Sequence, residues 1–175
     1  MGRKDITVKS VIFSEEPVIV ERTPYYYMSE NDKISIEKFP FISINRVSFA
    51  INCVVRDIEL NLSAVIPNGF CYNLADIPWL VEPISYDKHS PFVKNASYLH
   101  DYLISRKKVL YEHWELKKKN ITPQDFRVIT SLAFAYVLEY NGVPYTKAKL
   151  MAQCVDMWQT FLPSWKNLDR TEMAL

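Results

Sequence analysis

The apolar residues of this chain change their period near Asn68, and that change fixes what it can fold into. Before it they alternate. Ile6, Val8 and Ile12 fall at even positions, as do Val18 and Val20. The pattern continues through Ile34-Ser35-Ile36, Ile42 to Ala50, Cys53-Val54-Val55 and Leu62 to Ile66. A period of two places every second side chain on one face of a strand, so these segments predict strands. Pro17, Pro24, Pro40 and Pro67 separate them, since a proline cannot donate to a sheet ladder.

After Asn68 the period becomes that of a helix. Asn95 is placed to cap a helix carrying Leu99, His100, Leu103 and Ile104. Whether that helix runs on through the lysines to Lys119 is left open by the pattern. Thr122, Pro123 and Asp125 form a capping box with proline at the first helical position. Behind them Val128, Ile129, Leu132, Ala133 and Tyr136 make an apolar stripe that Asn141-Gly142 terminates. A last helix is expected from about Thr146, with Leu150, Met151, Cys154, Val155, Trp158 and Leu162 on one face and Pro163 as its stop. The expected fold class is therefore α+β, with N-terminal antiparallel strands followed by three or more helices.

A chain of 175 residues suits one domain. Its expected divisions are a strand-rich part over 1–67, a loop carrying site residues over 68–94, a helical part over 95–163 and a tail over 164–175. Basic and acidic residues balance at 21 and 20, unlike the strongly basic footprint of a duplex-DNA binder. Arg106-Lys107-Lys108 and Lys117-Lys118-Lys119 read as solvated helix faces. With 3 glycines against 10 prolines there is no Gly-rich phosphate loop. No apolar run is long enough to span a bilayer, and no signal-peptide core precedes residue 30. Met1-Gly2-Arg3 begins like a myristoylation signal, but Ile6 stands where that signal needs Ser or Thr. Cys53, Cys71 and Cys154 are odd in number and lack CxxC spacing. They read as reduced thiols rather than a disulfide framework or zinc knuckle.

Three residues carry the chemistry that the sequence offers. His100 shares a helical face with Ala96, Leu103 and Ile104, and Asp101 points to the side, about 100° round. Such a pair divides labour: the imidazole serves as a base and the carboxylate holds a cation. Asp125, at the head of the next helix, is an orienter for the imidazole. Each residue also has a plainer role, as a satisfied core histidine, a partner for Lys107 or Lys108, and a helix-capping carboxylate. His89 and His113 read as surface residues, and Cys71 has no histidine at a motif-like distance. Tyr25-Tyr26-Tyr27 reads as a packing run on a strand, with a stacking platform as the alternative.

Ile66-Pro67-Asn68-Gly69-Phe70, Ala75-Asp76-Ile77-Pro78, His100-Asp101-Tyr102-Leu103 and Gln124-Asp125-Phe126 occur in that order. Together they resemble the largely phage-borne group called domain of unknown function 1353, over residues 47–142. The chain departs from that group's pattern at three places. Asn73 stands where the group has Asp, Asp76 where it has Ser, and Ile104 where a Tyr closes the His-Asp motif. A fainter likeness is to the His-Asp site of bacterial phospholipase A2. That likeness implies His100 as the base and Asp125 as its orienter. It further implies a divalent cation, calcium first, held by Asp101 and Asn73, with the Leu74 carbonyl as a further donor. An Asn offers a cation an oxygen but no charge.

Two functions follow as expectations. One is a phage-encoded, metal-assisted hydrolase of an ester or amide. The other is a non-enzymatic phage accessory protein on a degenerate catalytic scaffold: a virion or tail component, or a factor that binds a host protein, anti-defence factors included. Either implies the host cytoplasm or the virion, with a host or phage protein as partner in the second case and no organic cofactor.

Overall fold

The structure, a computed structural model, describes residues 5–25, 27–73, 91–160, 165 and 168, with the backbone alone at 91 and 92. Among the described residues there are six strands: β1 (Ile6–Phe13), β2 (Ile19–Glu21), β3 (Phe41–Ser43), β4 (Val47–Val55), β5 (Ile58–Ile66) and β6 (Cys71–Tyr72). Helix α1 (Glu30–Lys38) lies between β2 and β3. The second half holds α2 (Pro91–Ser105), α3 (Lys107–His113), a 3-10 turn (Leu116–Lys119), α4 (Pro123–Tyr140) and α5 (Tyr145–Thr160). The α+β class expected from the change of period is what the chain adopts. No described helix is long and apolar enough to cross a membrane.

The strands form two antiparallel sheets, ordered β1-β4-β5 and β2-β3-β6. In the first, Val47, Phe49, Ile51, Cys53 and Val55 point inward from β4, and Leu60, Leu62 and Ile66 do so from β5. The expected even-numbered face of β1 holds only as far as Val8. Register passes from Val8 opposite Cys53 to Ser10 opposite Asn52, so Lys9 is an extra residue. One inserted residue reverses which side chains face the core. Val11 is accordingly buried, and Ile12, expected inside, is 57% exposed.

Three other expectations are corrected. Ile34-Ser35-Ile36 is helical, not extended. The Ser29 side chain caps α1 by accepting from the Asp32 N–H, and the Arg22 guanidinium donates to the Ser35 and Phe39 carbonyls at its far end. These contacts satisfy the end groups of a helix with weak amphipathicity of its own. The expected strand from Ile42 to Ala50 is broken at 44–46, where the Ser43 hydroxyl donates to the Asn45 carbonyl and splits it into β3 and β4. Helix α2 starts at Pro91 rather than at Asn95, because proline is pre-shaped for the first helical position.

Helix α4 follows the sequence closely. Thr122 and Asp125 complete the capping box, worth about 1 kcal/mol. At its other end the Gly142 N–H bonds the Glu139 carbonyl at 2.9 Å and the Val143 N–H bonds the Leu138 carbonyl at 3.0 Å. Gly142 has φ +97°, which favours glycine. Helix α5 begins as expected, but Leu150 and Trp158 lie exposed, while Met151, Cys154 and Val155 face α4 and the core. Leu162 and Pro163 lie outside the described residues.

Candidate functional site

Helix α2 is buried on every side from Ala96 to Ser105. Tyr98 and Tyr102, one turn apart, face an aromatic cluster. Phe70 lies 6.0 Å from Tyr98 and 5.3 Å from Tyr102 between ring centroids, and it stacks on Tyr72 at 6.0 Å. The Tyr102 hydroxyl donates to the Val65 carbonyl at 3.0 Å, tying the helix to β5. This cluster draws on the Phe70 turn and on the tyrosines beside the His-Asp pair, so those residues build the wall behind the candidate site. The sequence signal for it was an i, i+4 tyrosine pair, which does not by itself reveal what it packs against.

His100 lies on the opposite side of α2, where its ring packs against Phe134 of α4 at 5.5 Å between centroids. It is 2% exposed. Among the described residues neither ring nitrogen has a hydrogen-bond partner. Its Nδ1 comes no closer to Asp101 Oδ1 than 3.7 Å, too far for a hydrogen bond. Burial disfavours the imidazolium and lowers the pKa to about 3. A base so weak, out of contact with solvent, takes up no proton at neutral pH.

Asp125 does not orient His100. It stands at the third position of α4, nine residues before Phe134, or about 13 Å along the helix. Its carboxylate accepts from the Thr122 N–H at 2.8 Å and from the Arg56 guanidinium at 3.0 and 3.3 Å. Arg56 sits in the two-residue β4–β5 hairpin, with φ +45° beside Asp57 at +65°, and also donates to the Asn120 carbonyl at 2.8 Å. The expected orienter is thus a clamp between the hairpin tip and the start of α4.

Asp101 is buried, and Asn73 directly follows β6. Burial, and then the negative charge of Asp101, push the Tyr72 phenol above its ordinary value, which places that carboxylate near the end of β6. Two side chains giving one charge fall short of the six to eight oxygens that calcium takes. Among the described residues no three His, Cys, Asp or Glu side chains come together as a metal site. Leu74, Asp76 and His89 lie outside the described residues. His113 is exposed, as expected, and all three cysteines are free, Cys53 and Cys154 being buried.

A second feature lies on the other sheet. In the β2-β3-β6 sheet Val20 is opposite Ile42, and Ile42 is opposite Cys71. Paired residues share a face. Phe41, Ser43 and Tyr72 occupy the buried face, so Val18, Val20 and Ile44, which is 56% exposed, are turned outward with Ile42. Beyond β2, Tyr25 is exposed and Tyr27 is 90% exposed. Neither is in a strand, which corrects the expected packing role of the tyrosine run; Tyr26 lies outside the described residues. Comparison of the chain with protein-family models, curated proteins and solved structures found no match.

Proposed function

We propose that this chain is a protein-binding module, whose contact surface is the outward face of the β2-β3-β6 sheet with Tyr25 and Tyr27 beside it. The observation that carries this reading is that face itself. Val18, Val20 and Ile44 are β-branched residues that a sheet normally covers, and here they stand in solvent. Rigid aromatic side chains next to an apolar patch are what binding hot spots are made from. Among the described residues strand β2 is also the edge of its sheet, and an edge strand offers backbone groups to a partner. The likeness to a phage-borne family makes a host or phage protein the partner class.

The hydrolytic reading needs a base that substrate can reach and a group to orient it. His100 is sealed between α2 and α4, and Asp125 is engaged elsewhere. The burial of His100 therefore favours binding over catalysis.

The test compares wild type, Val20→Lys/Ile44→Lys and His100→Leu as immobilised baits and as enzymes. Wild type and His100→Leu should retain the same discrete partner, and the double lysine variant should lose it. Equal retention by all three refutes the proposal. So does turnover of an ester, amide or phospholipid that His100→Leu abolishes.

A further inference from the structure

The described arginines divide into two groups. Arg22 donates to the carbonyls that end α1, Arg56 clamps Asp125, and Arg127 is paired with Asp156 at 3.6 Å. The side chains of Arg46 and Arg106 make no hydrogen bond or ion pair with any described residue, and both residues line the same groove of about 470 Å³. Among the described residues no acidic side chain lines it. Arg46 immediately precedes β4, and Arg106 sits at the break between α2 and α3, its N–H held by the Tyr102 carbonyl at 3.0 Å. Ordered elements therefore fix the backbone on both sides. The Tyr102 phenol, raised mainly by burial, is drawn back down by the charge of Arg106, so that guanidinium lies close to the groove wall. Val65, Pro67 and Val109, the last 61% exposed, give the groove apolar surface.

Two like charges facing one cavity repel each other unless an anion enters. A guanidinium presents a planar fork that matches carboxylate and phosphate oxygens. One carboxylate engages one fork well. Two forks suit a group with three terminal oxygens and nearly two charges, which is a phosphate monoester. The volume is that of a small-molecule site. We infer that the groove between Arg46 and Arg106 binds a phosphate monoester, with the ligand's carbon skeleton lying on Val65, Pro67 and Val109. This site is separate from the outward sheet face and stands whether or not that face binds a protein.

Isothermal titration of the full chain with phenyl phosphate, inorganic phosphate and benzoate tests the assignment. Phenyl phosphate should bind more tightly than either of the others, because only it offers both the dianion and the apolar body. Arg46→Gln and Arg106→Gln should each weaken it roughly 10- to 100-fold. Both side chains are exposed and hold no structural bond, so their unliganded melting temperatures should match wild type. Val109→Glu, a second exposed position, should abolish binding by placing a carboxylate in the groove. Adenosine monophosphate and a phosphoserine peptide separate a small-molecule source from a peptide source, and tighter binding of either one than of inorganic phosphate supports the site. No saturable binding of phenyl phosphate, affinity equal to that of inorganic phosphate, or unchanged affinity in both arginine variants would overturn it.

Discussion

Burial of His100 makes the fold sensitive to mild acid by an amount that can be worked out. An ordinary histidine has a pKa of 6.5, and here burial lowers it to about 3. The unfolded chain therefore binds a proton that the folded chain refuses. The stabilisation is fully present above pH 6.5 and is lost progressively as pH falls from there toward 3. At pH 5 the loss is about 2 kcal/mol relative to pH 8. That is a substantial part of the roughly 5–15 kcal/mol stability of a typical domain. His100→Leu removes the titration and replaces two ring nitrogens that lack partners among the described residues with apolar surface. Replacing a buried unsatisfied polar group by an apolar one of similar size is neutral or stabilising at neutral pH. Urea unfolding of both proteins at pH 8 and pH 5 makes the measurement. Wild type should lose about 2 kcal/mol more than the variant between the two. Equal losses would refute the reasoning, as would a His100 ring resonance that titrates near 6.5 in the folded protein. The latter result would also return the histidine to the list of usable bases.

Asp125→Ala should cost about 2 kcal/mol, because it removes a capping box and leaves the Arg56 guanidinium only the looser pair with Asp5 at 3.5 Å. Chemical denaturation reads that loss directly, and a change below about 0.5 kcal/mol would contradict the clamp. Deleting Lys9 removes the β1 bulge and leaves a regular strand in which Val8, Val11 and Phe13 still face the core opposite Cys53, Ile51 and Phe49. The expected change is within about 1 kcal/mol, and a loss of roughly 3 kcal/mol or more on denaturation would contradict this register. Cys53 is buried, and its thiol is pushed up to about 11 by that burial. An aromatic disulfide reagent at pH 8 should label the half-buried Cys71 in the native protein and reach Cys53 only on unfolding. Native labelling of Cys53 at the rate of Cys71 would contradict its burial.

The amino-acid sequence by itself determined the features whose signals are local. Alternation marked β1, β4 and β5, and the change of period marked where helices replace strands. In α4 the box at Thr122 and Asp125 and the stop at Asn141-Gly142 fixed both ends, because caps act within one turn of backbone. What tertiary structure decided depends on partners distant in the chain. Ile34-Ser35-Ile36 alternates like a strand, yet a serine cap and a guanidinium thirteen residues back make it a helix. One bulged residue, invisible to composition, reversed the inward face of β1. The Val18 and Ile44 alternation was legible, but which face would stay uncovered was not, since that depends on what packs against the sheet. His100 and Asp125 were legible as a pair of suitable residue types. Their separation was not, because Asp125 is claimed by Arg56 across 69 positions. Arg46 and Arg106 come to line one groove only once the start of β4 and the α2–α3 break are brought together. Periodicity reports which face of an element is apolar; the relation between two elements is set by the packing of the whole core.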